Sequence, residues 1–170
     1  MTAARVGDQR FRTAVETLRV PVMGTEAVAP LLAALIRLLR PERVLEVGMG
    51  YTTPFIAAVL AETAADVPAE SAALAAKTRA RLDRGVPLDE DWLDAEPALL
   101  APDFYTEPHR PRLVAVDDLS IPESSSTQVS DVLRELELDD LVTVVNADLR
   151  DCAGCLPEDF RPALPPVCVE

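Results

Sequence analysis

Residues 43–53 read Arg43-Val44-Leu45-Glu46-Val47-Gly48-Met49-Gly50-Tyr51-Thr52-Thr53. Arg43 to Val47 is a short β-type run. Gly48 and Gly50 make a tight turn and allow close approach of a ligand to the backbone. Thr-Thr-Pro-Phe-Ile-Ala-Ala-Val-Leu-Ala-Glu then begins a helix at about Thr53, with Pro54 in the first turn, where a missing N–H costs nothing. A strand, a glycine turn and a helix within about 20 residues is the unit from which parallel α/β sheets are built.

Working outward, the same grammar recurs. Residues 112–118 (RLVAVDD) form a second strand ending in two carboxylates. Residues 124–138 (SSSTQVSDVLRELEL) form a helix with a polar, cap-rich start, and 141–149 (LVTVVNADL) form a third strand. A fourth short strand is allowed at Val167–Val169. Upstream, residues 8–19 carry Phe11, Val15 and Leu18 on one helical stripe. A second helix spans about 25–39, capped by Thr25, with Val28, Leu31, Leu32, Leu35, Ile36 and Leu39 as its apolar set. Pro41 ends it. The order β-α-β-α-β predicts an α/β fold with a parallel sheet flanked by helices, and a ligand outside the carboxyl ends of the strands.

Residues 62–84 are predicted helical with a soft break around Pro68. Residues 85–112 hold Pro87, Pro97, Pro102, Pro108 and Pro111, which exclude a long helix or a central strand and leave short helical turns. Trp92, Phe104 and Tyr105 lie there. A small satellite core or an oligomer contact accounts for them better than a lid over the site.

The 170 residues (18.4 kDa) fit one domain, and 49% hydrophobic residues suffice for a core. We expect residues 1–170 to form that single domain, with N-terminal helices (1–40), a ligand-binding strand-turn-helix (41–61), an insertion (62–111), and the remaining strands and tail (112–170). Sixteen Lys and Arg against 29 Asp and Glu give a net charge of −13. A field of that sign repels phosphate backbones and anionic lipid surfaces, so neither nucleic acid nor membrane is the expected partner. No segment reaches the ~20 apolar residues of a membrane span, and the first residues lack a signal-peptide pattern. The expected location is cytoplasmic. Three cysteines are too few, and odd in number, for a disulfide scaffold. Cys152 and Cys155 form a C-x-x-C without a second pair, so no metal site is expected. The single histidine, His109, precedes the second strand, at the wrong edge for the site, and is read as a surface or loop-anchoring residue.

A dinucleotide loop should read G-x-G-x-x-G/A, but here the third position is Thr53. Glu46 is also a poor neighbour for a pyrophosphate. Its carboxylate suits a cation, such as the ammonium of an amino-acid moiety.

E-x-G-x-G after a strand and before a helix resembles motif I of the class I methyltransferases, which use S-adenosylmethionine and share a Rossmann-like sheet. The resemblance covers about residues 25–60 and 112–150. It implies that Glu46, Gly48, Met49, Gly50, Tyr51 and Thr52 surround the amino-acid portion of the cofactor. It implies Asp117 at the ribose hydroxyls, with Asp118 as the alternative, and Asp148 beside the adenine. It implies methyl transfer to a small-molecule acceptor, and no catalytic residue is assigned. Two departures stand out. Gly50 to Asp117 spans 67 positions, whereas a simple β-α-β unit places its acidic residue ~20 residues on, so about 45 residues are inserted. The family core has more strands than these, so the resemblance also implies a chain shortened in its C-terminal half.

Two other readings are kept. One is a shortened, inactive cofactor-binding or interaction module, whose exposed edge strand allows a homodimer. The other is an NAD-dependent oxidoreductase.

Overall fold

The computed structural model describes residues 3–97, 100, 102–121, 124–148 and 154–161. The chain divides into two compact units, Met1–Ala61 with Pro111–Glu170, and Glu62–Arg110.

The first unit is α/β. Its sheet has three strands, β1 (Arg43–Val47), β2 (Arg112–Asp117) and β3 (Val142–Asn146), in the order β1-β2-β3. Both pairings are parallel, with Leu45 beside Val114 and Ala115 beside Val144. Helices α1 (Gln9–Glu16), α2 (Thr25–Leu39) and α5 (Ser126–Glu135) belong to this unit, as does the start of α3 (Thr52–Leu82). Leu113 to Val116 of β2 are all buried, as a central parallel strand covered on both faces requires. Leu113 and Ala115 join the main core with Phe11, Ile56, Leu60 and Leu133. Val114 and Val116 face the other way and pack with Leu156. No helix among the described residues is long and apolar enough to cross a membrane.

Several expectations are corrected. Thr25 does not cap α2. Gly24 stands at the N-cap, with φ of 73°, and no side chain caps the helix. Most of the apolar set of α2 is not on its buried face. Ala29, Ala33 and Ile36 are buried, because small side chains let the helix approach closely, while Val28, Leu31, Leu35 and Leu39 stay exposed. Pro68 does not break the chain. It lies inside α3, which runs unbroken for 31 residues through an alanine-rich stretch of high helix propensity. β3 ends at Asn146, short of residue 149. The candidate strand at 167–169 lies outside the described residues.

The second unit contains the rest of α3, a short α4 (Glu90–Asp94) and a 3-10 turn, Pro102–Tyr105. Asp89 caps α4 by accepting from the Trp92 N–H at 3.1 Å. The Lys77 ammonium donates to the carbonyls of Leu93 (3.1 Å), Pro97 (3.2 Å) and Ala95, and lies 5.3 Å from the Trp92 ring centroid. Tyr105 donates to Glu70 at 2.8 Å, and buried His109 packs against Phe104.

Candidate functional site

The site is assembled where β1 and β2 end. Gly48 leaves β1 with φ of 83°, in the left-handed region that side chains disfavour. Its N–H donates to the Val116 carbonyl at 2.8 Å, which fixes the turn on the neighbouring strand. The Met49 N–H donates to Asp117 Oδ2 at 2.6 Å. The Met49 carbonyl accepts from the Ser125 hydroxyl at 2.8 Å. The Gly50 N–H donates to Thr53 Oγ1 at 3.0 Å. The turn is thus held by one strand backbone, one carboxylate and two hydroxyls.

A Cβ added at Gly48 or Gly50 would meet nothing within 4 Å, so open space lies before the turn. The two glycines differ in what they tolerate. Gly48→Val is expected to cost at least the ~1–2 kcal/mol of a left-handed residue. Gly50→Ala, whose φ lies outside that region, should stay within about 0.5 kcal/mol of the parent. Urea unfolding of the two variants measures the difference.

Glu46 supplies the charge. Its Oε1 accepts from the Thr52 hydroxyl at 2.6 Å. Its Oε2 is buried with no hydrogen-bond partner. Burial raises the Glu46 pKa above its ordinary value, against the lowering effect of the Thr52 and Thr53 hydroxyls, and the charge of Asp117 adds to the rise. A buried carboxylate oxygen without a partner, near a second carboxylate, could accept hydrogen bonds from a cation such as an ammonium group.

The remaining candidates divide. Glu46, Gly48, Gly50, Thr52 and Asp117 come together at the carboxyl ends of β1 and β2. Met49 contributes backbone only, since its side chain is buried in the core. Tyr51 stacks on Phe55 with ring centroids 5.3 Å apart, and burial raises its pKa. Asp117 Oδ1 accepts from Ser124 at 3.4 Å, so both carboxylate oxygens already have protein donors. Asp118 closes the next turn by accepting from the Ser120 N–H (3.0 Å) and hydroxyl (2.6 Å), which lower its pKa. Asp148 is exposed, two residues beyond β3.

Sequence reasoning missed Ser124, Ser125 and Thr53 as parts of the site. The serine run was visible, but it suggested a helix cap. Ser125 does stand at the N-cap of α5 without a side-chain cap bond, and its hydroxyl clamps the glycine turn instead. Asn146 also acts between strands, accepting from the Leu119 N–H at 3.1 Å. Among the described residues, no three His, Cys, Asp or Glu side chains converge as metal ligands. Cys155 is exposed and unbridged, while Cys152 and Cys168 lie outside the described residues.

No family model and no curated protein matches the chain. It is similar to a solved structure named "a putative O-methyltransferase from Klebsiella pneumoniae", with 17% sequence identity and a TM-score of 0.47. The match covers 89% of this chain and 49% of that one, so the chain spans about half the length of the protein it matches.

Proposed function

We propose that the chain binds S-adenosylmethionine at the glycine turn and is a methyltransferase acting on a small molecule in the cytoplasm. The observation that carries this reading is the buried Oε2 of Glu46, which has no partner and lies at the end of the strand that leads into the open turn. Glu46 would hold the amino-acid ammonium, with Thr52 fixing the carboxylate. The backbone at Gly48, Met49 and Gly50, with Tyr51, would line the amino-acid portion. Asp117 would accept from the ribose hydroxyls with the lone pairs left over from Met49 and Ser124. Asp118 is the alternative there, and Asp148 would sit on the adenine side. When bound, S-adenosylmethionine supplies a sulfonium-activated methyl group. The chain's own residues bind and orient, and proximity of this kind can supply much of the rate without a dedicated base.

Two observations bear on the other readings. The Gly50 N–H is taken by Thr53, which removes a donor that a dinucleotide pyrophosphate would need. None of the residues around the turn is placed as a general base, which favours a binding module as the second reading.

Calorimetric titration with S-adenosylmethionine, S-adenosylhomocysteine and NAD separates the three. Binding of both adenosyl ligands at one site per chain, with NAD silent, is the expected result. Binding of NAD alone would overturn it. Adenosyl binding without methyl transfer to any of a broad acceptor panel would leave the binding module.

A further inference from the structure

Residues 27–41, covering most of α2, hold no Asp or Glu. A helix apolar on nearly all sides is ordinarily buried. Yet Val28, Leu31, Leu35 and Leu38 are 46, 60, 42 and 72% exposed. Their spacing of three, four and three is the seam by which helices pack on one another. At 3.6 residues per turn, Arg37 lies on the far side of the helix from this seam.

Beside the seam runs a groove of about 420 Å³ that belongs in part to the glycine turn, since Leu35, Leu39, Val44, Leu45 and Val47 line it together with Glu46, Gly48 and Thr52. Among the described residues β1 is an edge strand of the sheet, and edge strands offer unpaired backbone groups. Leu45 and Val47 of β1 are 45% and 57% exposed. Seam and strand together expose apolar side chains over an area within the roughly 300–600 Å² of the largest patch on a typical monomer, and such patches are often functional.

We propose that this face joins two copies of the chain, with α2 packed antiparallel on α2 of the second copy about a two-fold axis near Ala33. A two-fold interface must be complementary to itself. A 3-4-3 spacing is the same read in either direction, so reversal brings Val28 onto the partner's Leu38 and Leu31 onto the partner's Leu35. The absence of Asp and Glu from residues 27–41 lets two chains of charge −13 meet where their repulsion is reduced.

Sedimentation velocity on the full chain, from about 1 to 100 µM, tests this. The parent should sediment as a dimer of 18.4 kDa chains. Leu31→Lys and Leu35→Glu, both at exposed positions, should keep the parent's far-UV circular dichroism. Each should weaken the dimer about 100-fold or more, because each sets a charge against leucine. Mixing the two variants should restore a dimer, since Lys at 31 then faces Glu at 35. A parent that is monomeric throughout, variants that dimerise like the parent, or a mixture that stays monomeric would each overturn the proposal.

Discussion

Glu46→Ala is expected to weaken S-adenosylmethionine binding by roughly 10- to 100-fold, because a hydrogen bond to a charged group contributes about 1.5–3 kcal/mol. The same change should leave the free protein as stable as the parent or more so. It removes a buried oxygen that has no partner and costs stability until a ligand meets it, which offsets the loss of the hydrogen bond from Thr52 to the other oxygen. Calorimetry gives the affinity and urea unfolding gives the stability. A loss of both together would assign Glu46 a structural role instead.

The pH dependence follows from the same side chain. The folded-state pKa of Glu46 is raised, chiefly by burial, above the ordinary 4.5. Its contribution to stability is therefore full below that ordinary value and is lost as pH rises through the folded value. Glu46→Gln should match the parent in acid and exceed it once Glu46 ionises. Affinity for the cationic ligand should rise over the same window in the parent and stay flat in Glu46→Gln. Unfolding curves of both proteins from about pH 4 to pH 8 isolate this group from the other carboxylates.

Asp117→Ala should lower stability and affinity together. The Met49 N–H loses its acceptor at 2.6 Å and Ser124 loses its own. A part-buried donor left unpaired costs about 1–3 kcal/mol. Loss of the ribose contacts should weaken binding of adenosyl ligands by about another 1–3 kcal/mol. Asp117→Asn keeps an acceptor oxygen for Met49 and should recover much of the stability, but less of the affinity. Unchanged unfolding midpoints in Asp117→Ala would contradict the role given to this carboxylate in holding the turn.

β1 and β2 were legible because each is an apolar run closed by glycines or carboxylates, and such boundaries are local. The turn at Gly48 and the acidic end of β2 were legible for the same reason. Contacts between distant positions were not. Met49 and Asp117 are 68 positions apart, and Met49 and Ser125 are 76 apart. Only the parallel pairing of β1 with β2 brings those groups together.

Which side of α2 is buried was not legible for a different reason. Periodicity locates an apolar side only when the helix has a polar one. On α2 Val28, Leu31, Leu35 and Leu39 stay exposed, while Ala29, Ala33 and Ile36 pack inward. At Pro68 the local rule for a proline in a helix was outweighed by the alanine-rich sequence around it. Ser125 was legible as a helix-cap residue, but its hydroxyl turns to the Met49 carbonyl, which no local pattern shows.

The most direct measurement is an amide nuclear magnetic resonance titration of the full chain with S-adenosylhomocysteine. The Gly48, Met49 and Gly50 amides, with the backbone at Asp117, should shift together and saturate at one ligand per chain. The same titration of Glu46→Ala should need a much higher ligand concentration. Resonances of the turn that stay in place while others move, or a spectrum unchanged at millimolar ligand, would contradict a cofactor site built on Glu46 and the glycine turn.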